Sequence, residues 1–303
     1  MSDTAYDVLI IGEGVAGLTA AQTLGAAGLR VATFEAQLFG GLVINVNELD
    51  PSPADGPVAG AEYAADLMQK SAEAGVESIP EPVTALRAAG NVLEVMTDGG
   101  TRTARAVIVA SGAKLKRLGV PGELDFEGRG VSQCADCDGP MYQGETVVVV
   151  GGGDSALQEA LVLTHYCERV HLVHRRDRYR ARPDLVQQAQ VNGKIKATFN
   201  ATVSAVQGDD VVKSVTLQHA DGRTELLACA GLFAYIGLEP NTGMLPADVA
   251  RDAQGCVKTG EDCESALRNV WAIGAARSGY AGALTDAIAD AQRAATAVQK
   301  RLT

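Results

Sequence analysis

The chain has 303 residues, 47% of them hydrophobic and 21% charged, enough for about two domains with a large buried core. Its formal net charge of −11 excludes a general nucleic-acid binder, which needs a basic face, but leaves room for a local basic pocket. No apolar run reaches the roughly 18 to 20 residues of a membrane-spanning helix, and no basic stretch followed by an apolar run marks a secretion signal, so a cytoplasmic protein is expected.

Residues 6–11 (YDVLII) form a near-continuous apolar run, as expected of a parallel strand buried on both faces. Gly12-Glu13-Gly14-Val15-Ala16-Gly17 follows at once, then a helical stretch over 18–27 and a second strand over 29–34 that ends in Glu35 and Ala36. This is a G-x-G-x-x-G turn between strand and helix with an acid about 20 residues onward, the signature of a dinucleotide site. The first glycine permits the tight turn, the second lets a pyrophosphate approach the backbone, and the third lets helix pack on strand. Glu35 would accept hydrogen bonds from a ribose. Gly40-Gly41 opens a polar, proline-rich passage to residue 60, expected to lie over the cofactor. A helix over 61–74 is followed by alternating segments over 76–106, separated by Gly-Asn and Asp-Gly-Gly, which predict a small antiparallel sheet. Residues 106–110 predict another buried strand, ending in Ala110-Ser111-Gly112, and the glycine- and proline-rich turn over 119–122 marks a domain boundary.

Gln133-Cys134-Ala135-Asp136-Cys137-Asp138-Gly139 comes next. Two cysteines at this spacing can close a small disulfide, and one thiol of such a pair commonly has a lowered pKa. The thiolate attacks an external disulfide and its neighbour resolves the mixed disulfide, while Asp138 is placed to exchange a proton with a leaving thiolate. By itself a CxxC also reads as half of a zinc site or as inert thiols. A second CxxC and a His-x-x-x-His are both missing from the sequence, which leaves zinc without its other ligands. Cys167, Cys229, Cys256 and Cys263 are scattered without motif spacing and read as small buried residues in a reducing compartment.

The pattern then restarts. Residues 146–150 (TVVVV) predict a strand, and Gly151-Gly152-Gly153-Asp154-Ser155-Ala156 opens a helix over 156–163. This is the same phosphate-binding turn with alanine as the third small residue. The strand over 169–173 ends not in an acid but in His174-Arg175-Arg176-Asp177-Arg178-Tyr179-Arg180. Arginines there suit a 2′-phosphate, which they can hold bidentately. The first cleft is therefore expected to take a non-phosphorylated dinucleotide and the second NADPH. Antiparallel strands follow over 201–231, then a buried strand over 231–236 that ends in Ile236-Gly237. The stretch Gly237-Leu238-Glu239-Pro240-Asn241-Thr242 is a turn returning the chain to its first domain, and a strand over 270–273, Gly274-Ala275 and a helix from about 281 to 302 close it.

In this order the motifs resemble the low-molecular-weight thioredoxin reductases over nearly the whole chain: Gly12 to Gly17, CADCD at Cys134 to Asp138, GGGDSA at Gly151 to Ala156, HRR with Arg180, and GLEPNT at Gly237 to Thr242. The resemblance implies an α/β chain of two Rossmann-like three-layer ββα dinucleotide-binding domains, the second inserted into the first. An FAD domain would span 1–115 and 245–303, and an NAD(P)H domain carrying the CxxC would span 116–244. It also implies a homodimer whose electrons run from NADPH to FAD, to the Cys134/Cys137 pair, and on to a disulfide, with thioredoxin as partner. By position, Cys137 would face the flavin, Cys134 would attack the partner, and Asp138 would be the acid. FAD contacts are expected at Gly12, Gly14, Val15, Ala16, Gly17, Glu35, Ala36, Gly40, Gly41, Ala110, Ser111, Gly112, Gly274 and Ala275. NADPH contacts are expected at Gly151, Gly153, Asp154, Ser155, Ala156, His174, Arg175, Arg176, Arg180, Ile236 and Gly237. No metal is expected.

The departures from the family pattern all fall in the FAD half. Gly274-Ala275 stands where the family has Gly-Asp, Ala281-Gly282 where it has Arg-Gln, and Gly40-Gly41-Leu42-Val43 where it has Gly-Gly-Gln-Leu; the Asn-x-Pro-Gly that follows is absent. Weaker FAD binding, an altered pose, or substitute contacts such as Arg277 are expected from this. Two other readings stand beside the main one. One is a disulfide oxidoreductase or dithiol oxidase with a different acceptor or donor, and the other a non-catalytic redox-sensing flavoprotein.

Overall fold

A computed structural model describes residues 6–303. The chain divides into two compact units, one holding the described chain up to Lys114 together with Glu239–Thr303, the other Leu115–Leu238. Residues 239–244, grouped from sequence with the inserted segment, belong to the first unit. Both units are α/β with a parallel sheet at the centre.

In the first unit Tyr6–Ile11 pairs in parallel with Val31–Phe34 on one side and with the second half of Gly100–Val109 on the other. Glu77–Ile79 extends this sheet in parallel beyond Val31–Phe34, and Val270–Ala272 pairs in parallel with Gly100–Val109. Because both faces are covered, Val8, Leu9 and Ile10 are all fully buried. Successive side chains point to opposite faces, so the run serves two layers. Val8 and Ile10 meet Ala20 and Ala21 of the helix Val15–Ala26 and Ala291 and Ala294 of the helix Leu284–Leu302. Leu9 and Ile11 meet Phe34 together with Leu86, Leu93 and Val95 of an antiparallel meander. Small residues on both helices let them pack closely on the sheet.

The antiparallel region is narrower than the sequence suggested. Glu77–Ile79 joins the parallel sheet, and the meander is Val83–Ala89, Val92–Thr97 and the first half of Gly100–Val109. The break expected near residue 106 is absent, because one ten-residue strand serves both the meander and the central sheet. The last helix starts at Leu284 rather than 281, since Gly279 and Gly282 both take positive φ and cannot continue a helix.

The second unit repeats the plan. Its five-stranded sheet runs Ile195–Phe199, Arg169–His174, Thr146–Gly151, Gly231–Tyr235, Val131–Ser132, all in parallel. Val147 and Val149 face the helices Asp154–Leu163 and Pro183–Val191, packing on Leu157, Ala160 and Leu185. Val148 and Val150 face the antiparallel strands Ala201–Gly208, Val212–His219 and Thr224–Ala228, meeting Val203, Val215 and Leu217. Among the described residues no helix is long and apolar enough to cross a membrane.

Candidate active site

At the first glycine turn the three glycines are held to different tolerances. Gly12 has a φ of +106°, and a Cβ there would lie 2.4 Å from the Ala110 carbonyl oxygen. A Cβ on Gly17 would lie 2.0 Å from the carbonyl oxygen of Gly12. Gly14 is open: its nearest neighbour would be the Gly40 carbonyl oxygen at 3.9 Å. The space over Gly14 borders the helix N-terminus, where the first backbone N–H groups at Val15, Ala16 and Gly17 have no partner within the helix. A cradle that a Cβ would fill, edged by amides with no partner inside the helix, fits a dinucleotide diphosphate. Gly40 closes one side through its N–H to the Glu13 carbonyl (2.7 Å), with Gly41 following at a positive φ.

Glu35 stands at the end of the second strand, as the motif requires. Its carboxylate accepts from the N–H groups of Glu13 (3.0 Å), Ala36 (2.8 Å) and Gln37 (3.0 Å). Across the sheet, Ala110-Ser111-Gly112 forms a corner clasped by Asn241, whose N–H donates to the Gly112 carbonyl and whose side-chain amide donates to the Ser111 carbonyl, each at 3.0 Å. Gly274 presses against the first helix, since a Cβ on it would lie 3.3 Å from the Ala16 side chain. The Gly274 N–H donates to Asp290, a carboxylate only 1% exposed, and Arg277 grips the same carboxylate at 2.8 and 2.9 Å. Arg277, expected as a substitute cofactor contact, places its Nε and Nη2 on Asp290 and its Nη1 on the Ser278 carbonyl. Ala275 follows Gly274 in this turn without a carboxylate of its own.

The second glycine turn has the same backbone and different surroundings. A Cβ on Gly151 would lie 2.5 Å from both the Ala156 side chain and the Tyr235 carbonyl oxygen, which is why a small residue is needed at 156. The His174 ring lies directly over Gly152, and burial pushes its pKa below the ordinary value, keeping the ring neutral. Arg180 donates its backbone N–H to the Gly152 carbonyl at 2.8 Å and passes its side chain over Gly153. Arg175, Arg176 and Arg180 are exposed, and among the described residues no acid pairs with them. Asp154 instead accepts from the N–H of Arg182 (2.8 Å), while Ser155 stays exposed beside it at the helix start. Ile236 and Gly237, the latter at positive φ, continue directly from Tyr235 at the end of the central strand.

Cys134 and Cys137 are joined as a disulfide with Cα atoms 5.3 Å apart. Cys134 caps the short helix Ala135–Asp138: its Sγ accepts the Cys137 N–H (3.2 Å) and its carbonyl accepts the Asp138 N–H (3.1 Å). A cleft of about 240 Å³ opens beside the pair. Arg117, Leu124, Glu127 and Val131 line it together with Cys134 and Asp138; Cys137 does not. The Arg117 guanidinium pairs with both Glu127 oxygens at 2.9 and 3.0 Å across the rim. Three of the other thiols are buried as the sequence suggested, Cys167 and Cys263 being pushed up to about 11 and Cys229 to about 12, chiefly by burial, whereas Cys256 is only half-buried.

Sequence reasoning missed four residues that shape these sites. Glu13, 2% exposed, accepts from the hydroxyls of Thr33 and Ser78, both at 2.6 Å, and ties three parallel strands together at the first turn. Asp290 lies in an alanine-rich helix that carried no motif. Glu159 and Tyr235 meet beneath the dithiol, where Glu159 accepts the Tyr235 hydroxyl and the Ala135 N–H, each at 3.1 Å. Only Glu13 carried a signal, an acid inside an otherwise apolar turn.

The chain matches the pyridine nucleotide-disulphide oxidoreductase family over residues 6–298. It is 38% identical to a thioredoxin reductase of Treponema pallidum over 278 residues, covering 91% of this chain and 90% of that one. A thioredoxin reductase of Mycolicibacterium smegmatis is 37% identical over 277 residues, with 90% and 89% covered. Among solved structures, the thioredoxin reductase of Lactococcus lactis superposes with a TM-score of 0.92 at 31% identity, over 98% of this chain and 99% of that one. That of T. acidophilum gives 0.90 at 27% identity, over 99% and 100%.

Proposed function

The chain belongs to the pyridine nucleotide-disulphide oxidoreductase family, and on that premise we propose that it is an NADPH- and FAD-dependent disulfide reductase of the thioredoxin reductase type, acting on thioredoxin. The observation that carries this reading is the cleft beside the dithiol, which is lined by Cys134 and Asp138 but not by Cys137. A partner entering there meets Cys134, the sulfur to which we assign the attack, while Cys137 stands exposed outside the cleft. Bound in the first cleft, a flavin would supply the redox chemistry that links a nicotinamide hydride to a disulfide.

The residues divide the work as follows. The open space at Gly14 and the amides of Val15, Ala16 and Gly17 would hold the flavin diphosphate, and Glu35 would hold a ribose. Arg175, Arg176 and Arg180 would hold the 2′-phosphate of NADPH, with the His174 ring over Gly152 shaping the floor of that site. In the reduced enzyme the Cys134 thiolate attacks one sulfur of the partner disulfide; a mixed disulfide forms as the partner's bond breaks. The Cys137 thiolate then attacks Cys134, re-forming the internal disulfide and releasing the partner's second thiolate. Asp138 delivers a proton to a departing sulfur. Two electrons and two protons leave the enzyme with the reduced partner. The protein works as a homodimer in the cytoplasm; sedimentation of the purified protein checks the dimer.

A second reading keeps the dithiol and replaces the partner by a low-molecular-weight disulfide, favoured by the small volume of the cleft beside Cys134. One experiment separates the readings: anaerobic titration with NADPH, followed by turnover with thioredoxin and with a small disulfide. Bleaching of the flavin band and a higher kcat/KM on thioredoxin are expected. Absence of bleaching overturns the NADPH reading, and a higher kcat/KM on the small disulfide replaces thioredoxin.

A further inference from the structure

The carboxyl group of Glu159 lies under the dithiol helix and is not part of the chemistry described above. It projects from the helix Asp154–Leu163, which begins in the second phosphate turn. Its Oε2 accepts the N–H of Ala135, the fully buried residue that directly follows Cys134. The same oxygen accepts the hydroxyl of Tyr235, the last residue of the strand leading to Ile236-Gly237. Three elements thus converge on one oxygen: the helix of the nucleotide turn, the dithiol helix and the end of the central strand. Asp136 is the charged group facing it from the dithiol helix, and Tyr235 the titratable group from the strand; Cys134 itself shares its cleft with Asp138, Glu123, Glu127 and Arg117, which stay in place in the variants below. Burial raises the affinity of Glu159 for a proton, while the two donated hydrogen bonds oppose that rise.

We propose that Glu159 is a positioning residue for the dithiol: its carboxylate fixes the turn at Cys134 through the Ala135 amide, and its charge sets the pH at which Cys134 becomes nucleophilic. This rests on the reading of Cys134 as the attacking thiol. A negative charge bonded to the amide next to Cys134 disfavours a thiolate there, because two like charges in a partly desolvated site repel. The reverse coupling follows: reduction of the disulfide, which breaks the sulfur–sulfur bond and takes up two electrons and two protons, draws a proton towards Glu159 when Cys134 is left as thiolate. The dithiol is thereby kept mainly protonated until a partner disulfide arrives, which limits waste on unintended oxidants.

The test uses the whole protein, reduced with a chemical dithiol so that neither NADPH nor flavin is needed. Alkylation of Cys134 by iodoacetamide is followed by peptide mass spectrometry across about pH 5 to 9, a span chosen to bracket ordinary thiol titration. In Glu159→Gln, which keeps a hydrogen-bond acceptor at the Ala135 amide, the profile should move to lower pH, with alkylation below the midpoint rising about threefold, the equivalent of half a pKa unit. Tyr235→Phe removes one donor, leaves the carboxyl more readily protonated, and should shift the low-pH limb in the same direction by less. Superimposable profiles for Glu159→Gln and the parent overturn the proposal, as does an upward shift in folded Tyr235→Phe. Failure of the NADPH titration with this alkylation result intact would reject the donor and leave Glu159 in place.

Discussion

The two glycine turns share a backbone and differ in what stands opposite them. Both leave a central parallel strand, both open a helix, and both forbid a side chain at their first glycine. At the first, the second strand ends in Glu35, whose carboxylate is already bonded to three backbone N–H groups. At the second, it ends in arginines that no acid neutralises among the described residues. The lesson is that the turn sets that a dinucleotide binds, while the residue at the neighbouring strand end sets which one.

The sharpest way to separate the two clefts acts on the sulfur between donor and partner. Cys134→Ser should lower disulfide-reducing turnover by about a thousandfold or more while flavin bleaching by NADPH persists, read by stopped flow. An unchanged turnover rate removes Cys134 from its role. Next in size, replacing Arg175 and Arg176 together by Ala should raise the KM for NADPH by about tenfold to a hundredfold, the loss of roughly 1.5 to 3 kcal/mol of charge-assisted hydrogen bonding. The KM for NADH should barely move, and an equal effect on both would erase the contrast between the turns.

A third comparison sits within the first turn. Gly14→Ala places its Cβ in open space, so the apoprotein should keep its Tm while FAD affinity falls about tenfold, about 1.4 kcal/mol. Gly17→Ala drives a Cβ into the Gly12 carbonyl, and overpacking of about 1 to 3 kcal/mol should lower the Tm of the apoprotein itself. Calorimetry with and without FAD distinguishes them. The smallest effect is one of pH and belongs to the second unit. His171 is buried, and burial pushes its pKa below 6.5. The unfolded chain then binds more protons as pH falls below that value, so this part of the stability is present above it and is lost on acidification. His171→Gln should flatten the decline in Tm on the acid side; an unchanged slope would discount the buried imidazole.

Much of the site was legible because nucleotide turns are local. Gly12 to Gly17, Gly151 to Ala156, Cys134 and Cys137 are each set by spacing along a few residues, and the strands beside them are apolar runs. What escaped depends on residues far apart in sequence meeting in space. Glu13 accepts from Ser78, and Asp290 accepts from Gly274 and Arg277, pairings that no period reveals. The long strand Gly100–Val109 was divided at residue 106 for a similar reason. Its alternation ends where its partner changes, and pattern alone reads a change of partner as a change of element.

The Arg277–Asp290 pair has an electrostatic consequence for handling the protein. A guanidinium already matched to a buried carboxylate offers little uncompensated charge, so binding at the first turn would lean on amides and shape, which dissolved ions hardly screen. The exposed arginines of the second turn would work by open attraction, which ions screen readily. Raising the ionic strength should therefore strip the pyridine nucleotide long before the flavin.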